Sequence, residues 1–463
     1  MRWLVSFAAV SCLCLTAVAE EHGSPPALPS FAEMEAAGAI IGDVRIIVDD
    51  IFDLDDPHEN NFLFRLANRL HIRTQPSVIE RSLLFSSGEP LSAQKIAESE
   101  RVLRSNRFLY DVDIRAVAYH DGIVDIEVET RDTWTIEPGI RFSRAGGVNS
   151  TGLTIREGNL LGTGTSIGYA TSSDVDRKGT EFSLSQDHIF GGWTGIDLRL
   201  GNYSDGKYQA FSVGQPFYSL NTRWAGGAST ARDERIESIY RAGEIAGQYR
   251  HAQENSAAYA GWSPGLIDGW TQRYSVGLGY QIDDYAIDPT LPAPASVPVD
   301  QTLVTPFVRY DVIEDNYAVV RNRNKIHRTE FFALGFTSSI QVGRALSALG
   351  STRDLWVYSA TVTDGMKSSR GNDLLFSANL SGQYGEGRAE RQFLGGSIRY
   401  FVPHAKRAVF YAAASADMVH NPEDIDLLLL GGDNGLRGYP LRYQSGERRA
   451  LFTVEERVYT NWY

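Results

Sequence analysis

Hydrophobic and polar positions follow one pattern up to about residue 132 and a different pattern in the rest of the chain. The first pattern predicts a strand, two helices and a two-stranded hairpin, in the order 40–50, 76–85, 92–106, 111–119 and 122–130. One face of the second helix carries Ile96, Val102 and Leu103. Its other faces carry charged residues, namely Lys95, Glu98, Arg101 and Arg104. We therefore predict a small α+β domain of order βααββ over residues 40–132.

From Trp134 onward, short runs of alternating residues are separated by Gly, Asn, Asp and Ser. One run places Tyr274, Val276 and Leu278 between Ser275, Gly277 and Gly279, a period of two that is typical of a sheet with one apolar face. We count fifteen or sixteen candidate strands, provided that residues 235–265 contribute one strand rather than two. A soluble sandwich would alternate in the same way.

Three observations favour a membrane barrel over a sandwich. A signal peptide precedes the strands, the runs approach the roughly 9–11 residues that a tilted membrane strand needs, and the polar face is rich in Gly, Ser and charge. Tryptophans also lie near the predicted strand ends, where a membrane barrel carries its aromatic girdles: Trp134, Trp193, Trp224, Trp262, Trp270 and Trp462. The predicted fold class is mainly β, with a transmembrane antiparallel barrel of about 16 strands over residues 133–463, preceded by the α+β domain.

The N-terminal 19 residues read as a secretory signal peptide, because Arg2 precedes an apolar stretch that ends in Ala17-Val18-Ala19. Residues 20–39 form a leader with a Pro-rich part. The only cysteines, Cys12 and Cys14, lie inside the signal, so the exported chain has no disulfide, thiolate metal cluster or cysteine nucleophile. A net charge of -13 argues against a nucleic-acid partner.

Several residues resemble functional motifs without the context that the chemistry needs. Ser166 lies in a G-x-S-x-G match at residues 164–168, but it opens an alternating run after a turn, with no helix behind it. Acidic clusters lack the spacing of a calcium loop and read as solvated charge: Asp53, Asp55, Asp56, Asp174, Asp176, Glu423, Asp424 and Asp426. We predict no catalytic residue, no metal and no cofactor.

A glycine-rich stretch at residues 431–440 contains Leu436, Arg437, Gly438 and Tyr439. This tetrapeptide resembles a signature of the outer-membrane insertase and transporter superfamily that includes BamA, TamA and the two-partner secretion transporters. Residues 88–114 resemble part of the polypeptide-transport-associated (POTRA) domain of that superfamily, and residues 156–164 resemble the turn after its second barrel strand.

The resemblance implies that Arg437 points into the barrel lumen and pairs with a carboxylate, and that Tyr439 packs against the wall. Superfamily members continue for about four more strands, one of which supplies that carboxylate, so we expect a chain truncated after Tyr463. Glu455 and Glu456 are then the nearby candidate partners. Only one POTRA domain is predicted, so the identity of the client does not transfer.

The expected function is that of an outer-membrane insertase or translocase with its POTRA domain in the periplasm. Unfolded outer-membrane or secreted protein clients would add as a strand to the POTRA edge, at Val44, Ile46 and Val48. They would then pass through the barrel or its seam, in contact with outer-membrane lipids. The alternatives are a barrel-type lipase or phospholipase that uses Ser166, a remnant of a patatin-linked barrel, and a passive porin.

Overall fold

The computed structural model describes residues 28–324, 329–405, 407–436 and 438–460. The predicted signal peptide, Arg437 and Trp462 lie outside the described residues. An N-terminal α/β unit, residues 30–132, contains α1 Phe31–Ala36, β1 Ile40–Asp49, α2 Phe62–Leu70, α3 Pro76–Arg81, α4 Ala93–Ser105, β2 Leu109–His120 and β3 Ile123–Asp132. The predicted strands and two of these helices are confirmed, but α1 and α2 were not predicted.

In the α/β unit, the three strands form one sheet in the order β1-β3-β2, with β1 parallel and β2 antiparallel to β3. Val124, Ile126 and Val128 of β3 are completely buried at the centre of the apolar core. The predicted turn between β2 and β3 is present, and Asp121 and Gly122 occupy its positive-φ positions. β1 and β2 are therefore the two edges of this small sheet.

The rest of the described chain consists of strands and short connections. In chain order they are β4 Ile136–Ala145, β5 Val148–Leu160, β6 Thr165–Ser173, β7 Lys178–Ile189, β8 Thr194–Tyr203, β9 Lys207–Gln215, β10 Trp224–Arg241, β11 Glu244–Trp262, β12 Leu266–Ile267, β13 Trp270–Ala286, β14 Gln301–Glu314, β15 Tyr317–Arg321, β16 Thr329–Ala333, β17 Thr337–Ala345, β18 Leu355–Lys367, β19 Asp373–Gly385, β20 Arg388–Ala405, β21 Ala408–His420, β22 Leu428–Leu430, β23 Gln444–Gly446 and β24 Arg448–Val458. Short 3-10 helices occupy Ser347–Leu349 and Asp424–Asp426.

A large antiparallel sheet is built from sixteen of these strands, which agrees with the predicted number, and the two-residue β12 pairs with β13 of this sheet. The segment 235–265 holds the end of β10 and all of β11, so it adds one further strand, as expected. Two short hairpins, β15–β16 and β22–β23, stand apart from the large sheet. The apolar run at residues 427–430 therefore belongs to a loop rather than to the wall of the sheet.

The two faces of the large sheet differ as the alternation predicts. On β13 the apolar side chains of Tyr274, Val276 and Leu278 are exposed on the outer face, whereas Ser275 between them is buried on the inner face. Charged pairs also bridge alternate positions on single strands, as in Arg199 with Asp197 on β8. An apolar face exposed along so many strands is larger than a soluble protein normally leaves in water.

The seam is defined as the junction at which β24, the last strand of the large sheet, lies next to β4, its first strand. Among the described residues, a register of paired positions joins every other neighbouring pair of the sixteen strands, but none joins β4 to β24. Ile140 on β4 is 86% exposed and Phe452 on β24 is 79% exposed, compared with 60% or less for the outward side chains of β13. Strands that pair closely shield each other's side chains, so β4 and β24 are less tightly flanked than the other neighbouring strands of this order.

No described helix is long and apolar enough to cross a membrane.

Candidate functional site

The α/β unit contacts one end of the large sheet, which we call the proximal end, through polar residues of α4. Glu98 Oε1 accepts a hydrogen bond from the backbone nitrogen of Leu220 at 2.8 Å, in the connection between β9 and β10. Arg101 donates to Asp315 at 3.0 Å and lies over the ring of Tyr317. Glu98 was predicted on a face of α4 other than the apolar one, and it is nevertheless buried because it docks on the sheet.

Burial raises the pKa of Glu98, although the hydrogen bonds from Leu220 and Gln94 oppose that change. A carboxylate removed from water is destabilised unless hydrogen bonds and cations compensate. The proximal contact therefore contains a buried acid whose neutral form is favoured more than that of an exposed glutamate.

A hairpin formed by β15 and β16, residues 317–333 in their described parts, lies inside the proximal end of the sheet. Phe332 contacts the ring of Phe401 edge-on, with centroids 5.5 Å apart, and Val409 is buried in the same cluster. Phe401 is 1% exposed, while Ile398 on the same strand is exposed on the outer face. The hairpin therefore packs on the inner face and fills the proximal part of the space that the sheet surrounds.

Polar contacts hold the end of this hairpin to the wall. Arg323 Nε donates to Asp373 Oδ2 at 2.7 Å, and both side chains are buried. The carbonyl oxygen of Arg323 accepts hydrogen bonds from Tyr459 Oη at 3.1 Å and from Arg457 Nη1 at 3.2 Å. Arg457 is on β24, and Tyr459 is the first residue after that strand. These hydrogen bonds therefore attach the hairpin to one strand of the seam.

The distal loop, residues 431–436 and 438–443, lies at the opposite, distal end of the sheet. Gly146, in the turn between β4 and β5, has a φ of 55°, and a Cβ there would overlap the backbone of Leu441. Gly243 in the β10–β11 turn also faces Pro440 and Leu441 at contact distance. The same two loop residues therefore touch two distal turns that are six strands apart in the sheet.

An ion pair fastens this loop to the turn between β6 and β7. Arg442 Nη1 donates to Asp176 Oδ1 at 2.6 Å, and Nη2 donates to the other oxygen of the same carboxylate. The guanidinium also lies 4.5 Å from the ring centroid of Tyr240. A bidentate pair of this kind is stronger and more directional than a single contact between point charges.

The Asp176 carboxyl is partly buried, which by itself would raise its pKa, but the hydrogen bonds and charge of Arg442 lower the pKa overall. Asp176 was predicted to be solvated loop charge; it is in a turn with its side chain 41% exposed, and it also pairs with Arg442, which was not predicted. Arg442 was not singled out in the sequence. It stands five residues after Arg437, and the glycines around it were the only local signal.

Three of the predicted motif residues, Leu436, Gly438 and Tyr439, are described in this distal loop. The backbone nitrogen of Leu436 donates to Gly431 at 2.9 Å, Gly438 has a φ of 95°, and Tyr439 is half exposed with its ring 5.7 Å from that of Tyr443. Arg437 itself lies outside the described residues.

The two candidate partners of Arg437 lie on β24 and have other partners. Glu455 pairs with Arg457 at 2.9 Å, and Glu456 pairs with His404 at 3.2 Å. His404 is near the proximal end of β20, whereas the motif loop is at the distal end. The pairing of Arg437 remains a prediction.

On β1, the residues Val44, Ile46 and Val48 are partly buried against the core of the α/β unit. Their side chains face inward, so an added strand would meet the backbone edge rather than these side chains. Glu89 and Leu91 bond to the start of this edge, at Ile41 and Ala39.

Ser166 lies in β6 and accepts a hydrogen bond from Arg156 Nε at 3.1 Å. A turn at residues 161–164 precedes it and strand follows it, which confirms the predicted strand context. Among the described residues, no group of three or more His, Cys, Asp or Glu side chains is arranged to hold a metal ion.

A scan against models of known protein families finds no match, and no curated protein matches the chain. Solved structures with a similar arrangement include BamA from Haemophilus ducreyi lacking POTRA domains 1-3, which is 13% identical with a TM-score of 0.36, over 82% of this chain and 72% of that one. CdiB from Acinetobacter baumannii is 11% identical with a TM-score of 0.43, over 91% and 68% of the two chains. CdiB from Escherichia coli is 10% identical with a TM-score of 0.43, over 90% and 69%.

Proposed function

We propose that this protein is an outer-membrane insertase or translocase that releases its clients through the seam between β4 and β24. The α/β unit acts as a periplasmic POTRA domain and the large sheet as a transmembrane barrel. The observation that carries the proposal is the seam, Ile136–Ala145 next to Arg448–Val458, for which the described chain gives no register of paired positions although the two strands are neighbours in the strand order. A weakly paired seam in a membrane offers backbone groups to an incoming strand.

A route through the seam is favoured over one through the lumen, because described residues obstruct both ends of the lumen. The described parts of the β15–β16 hairpin pack on the inner wall at the proximal end, and Pro440 and Leu441 of the distal loop contact two turns that are six strands apart. A client strand that pairs with β4 or β24 would satisfy its own backbone and theirs without clearing either obstruction. No covalent step is required.

Client capture is proposed at the free part of the β1 edge. Residues Asp43–Asp49 run along the outside of the small sheet, beyond the part that Glu89 and Leu91 cover. Main-chain hydrogen bonds there would bind extended chains with little dependence on their sequence. A photo-crosslinking residue in place of the exposed Asp43 should capture unfolded clients, and one in place of Ala97, an exposed residue of α4 away from this edge, should not.

Cysteine pairs test the seam directly, because the only native cysteines are Cys12 and Cys14. We would pair cysteine at Ile140 or Phe142 with cysteine at Phe452 or Val454 and assay client insertion before and after reduction. The matched control pair joins Ile140 to Leu153, which are already opposed in the β4–β5 register. The expected result is loss of insertion only in the seam-locked protein, restored by a reductant.

Two results would contradict the proposal at different points. Full activity in the locked protein would exclude the seam as the route. An unchanged outer-membrane and secreted proteome after depletion of the protein would exclude an insertase or translocase altogether. For the lipase alternative, Ser166→Ala would have to reduce activity more than Arg437→Ala, whereas our proposal expects the reverse order.

A further inference from the structure

Helix α2 presents an apolar face that nothing in the described chain covers. Phe62, Leu66 and Leu70 stand at successive turns, Leu63 lies beside them, and all four are exposed, with Phe62 at 69%. Asn61 caps the helix by accepting from the backbone nitrogen of Phe64 at 3.0 Å. Large apolar side chains aligned in water usually mark a surface that binds something.

The opposite face of α2 fixes its orientation on the α/β unit. Phe64 stacks on Phe52 with ring centroids 3.8 Å apart. The side chain of Asn68 donates to the carbonyl of Phe52 at 2.8 Å and accepts from its nitrogen at 3.1 Å. The helix is therefore held by one side, and its apolar side is directed away from the unit that carries it.

The segment after α2 is hydrogen-bonded to residues near the proximal ends of β4 and β5. Thr74 Oγ1 accepts from the side chain of Asn159 at 2.7 Å, and Gln75 donates its backbone N–H to Gly162 at 2.9 Å. His71 bonds to Asp132 at 2.8 Å. This places α2 at the proximal end of β4 and β5, where the outer face of the sheet begins.

Exposed apolar residues connect the outer face of the sheet with α2. Trp134 and Ile136 lie at the proximal end of β4, and Leu161 is in the β5–β6 turn. Ile72 then leads from the anchored segment into the helix and is 55% exposed. The apolar outer face, which we assign to lipid, thus continues onto the helix at its proximal border.

Charge on α2 matches a phospholipid surface. Arg65 and Arg69 lie one turn apart along one border of the apolar face, and both are exposed. Neither forms an ion pair with a carboxylate in the described part of the chain, although the net charge of the whole chain is -13. Arginines flanking an apolar helical stripe are typical of helices that lie in a membrane interface.

We propose that α2 lies in the periplasmic leaflet of the outer membrane, with Phe62, Leu63, Leu66 and Leu70 among the acyl chains and Arg65 and Arg69 at anionic headgroups. The inference rests on the proposed outer-membrane location. It assigns to α2 a membrane-binding surface next to the seam, separate from the client-binding edge on β1. The helix would hold the α/β unit against the leaflet directly below the β4 side of the seam.

Depth-dependent fluorescence quenching tests this in the full chain, reconstituted into phospholipid nanodiscs. A fluorophore is attached to a single cysteine at Leu66, at Phe452 on the outer face of β24, or at Asp121 in the β2–β3 turn. Brominated acyl chains should quench the probe at Leu66 through shallow bromines, since an interfacial helix buries its apolar face by about 5–10 Å. The probe at Phe452 should be quenched and the probe at Asp121 should not.

Two variants identify the chemistry of the contact. In Leu70→Glu, a probe at Leu63 should lose its quenching, whereas Leu70→Met should keep it. Arg65→Gln combined with Arg69→Gln should remove the increase in quenching that phosphatidylglycerol produces over phosphatidylcholine alone. Heat-modifiable gel mobility shows that each variant is folded.

The outcomes separate this inference from the proposed function. An unquenched probe at Phe452 would place the large sheet outside the bilayer and overturn the proposed location. Quenching at Phe452 without quenching at Leu66 would overturn only the inference for α2. The inference for α2 would also be overturned if added client, or a second copy of the chain, rather than lipid, shields the Leu66 probe from water.

Discussion

Replacing Arg323 with Met should release the β15–β16 hairpin from the inner wall. The change removes the guanidinium and leaves Asp373 buried without its cation, at a position where the pair is only 8% and 0% exposed. The backbone carbonyl of residue 323 keeps its hydrogen bonds from Arg457 and Tyr459. The substitution therefore isolates the ion pair from the other anchors.

The size of the effect follows from the contact between Arg323 and Asp373. At 2.7 Å, Coulomb's law with an effective dielectric constant of about 20 gives roughly 6 kcal/mol before the cost of desolvation. Removing one partner of a buried pair typically costs about 3–5 kcal/mol. We expect the lower end of that range, about 3 kcal/mol, which corresponds to a more than hundredfold increase in the open population of the hairpin.

Hydrogen exchange of the folded protein in nanodiscs measures that population, because amides of residues 317–333 exchange when the hairpin detaches. Arg388→Met is the matched control, since Arg388 pairs with Glu390 at a site where it is 67% exposed, and such pairs contribute about 0–1 kcal/mol. The double variant Arg323→Met with Asp373→Leu should recover most of the protection, because it leaves no buried charge. Equal exchange in the wild type, Arg323→Met and Arg388→Met would refute a buried anchor.

Three further predictions concern the distal loop and the proximal contact. Gly146→Val should lower the unfolding midpoint on heat-modifiable gels more than Gly147→Ala, because both residues have positive φ, with a strain of about 1–3 kcal/mol, but only Gly146 faces Leu441. The Asp176 carboxyl has a lowered pKa, so its pairing with Arg442 stabilises the loop above its ordinary pKa of about 3.9 and is lost as pH falls through the lowered value. Asp176→Asn should abolish that acid-dependent step in loop-opening events recorded in planar bilayers. Glu98 has a pKa raised by burial, so its contribution to docking is present below the ordinary pKa of about 4.3 and declines as pH rises through the raised value. Glu98→Gln should therefore be about as stable as the wild type at acidic pH and at least as stable at pH 7, measured by chemical denaturation. A large loss of stability at pH 7 would contradict this prediction.

Local periodicity was sufficient to predict most elements of this chain. The strand β1, the helix α4, the β2–β3 hairpin and the count of sixteen strands follow from apolar spacing and turn residues. Helix α2 was missed although Phe62, Leu66 and Leu70 have helical spacing, because they lie in a segment that follows a run of acidic residues. The β15–β16 hairpin also alternates with a period of two, and nothing local distinguishes it from wall strands.

The sequence by itself determined which side chains lie on the two faces of each strand, because alternation depends only on the backbone geometry of that strand. The tertiary structure decided which distant groups meet. Asp176 and Arg442 are 266 residues apart, and Arg323 reaches Asp373 only because its hairpin turns into the space that the sheet surrounds. The two edges of the seam likewise emerge only when sixteen strands are ordered side by side. These pairings depend on the curvature and register of the whole sheet, which no short stretch of sequence encodes.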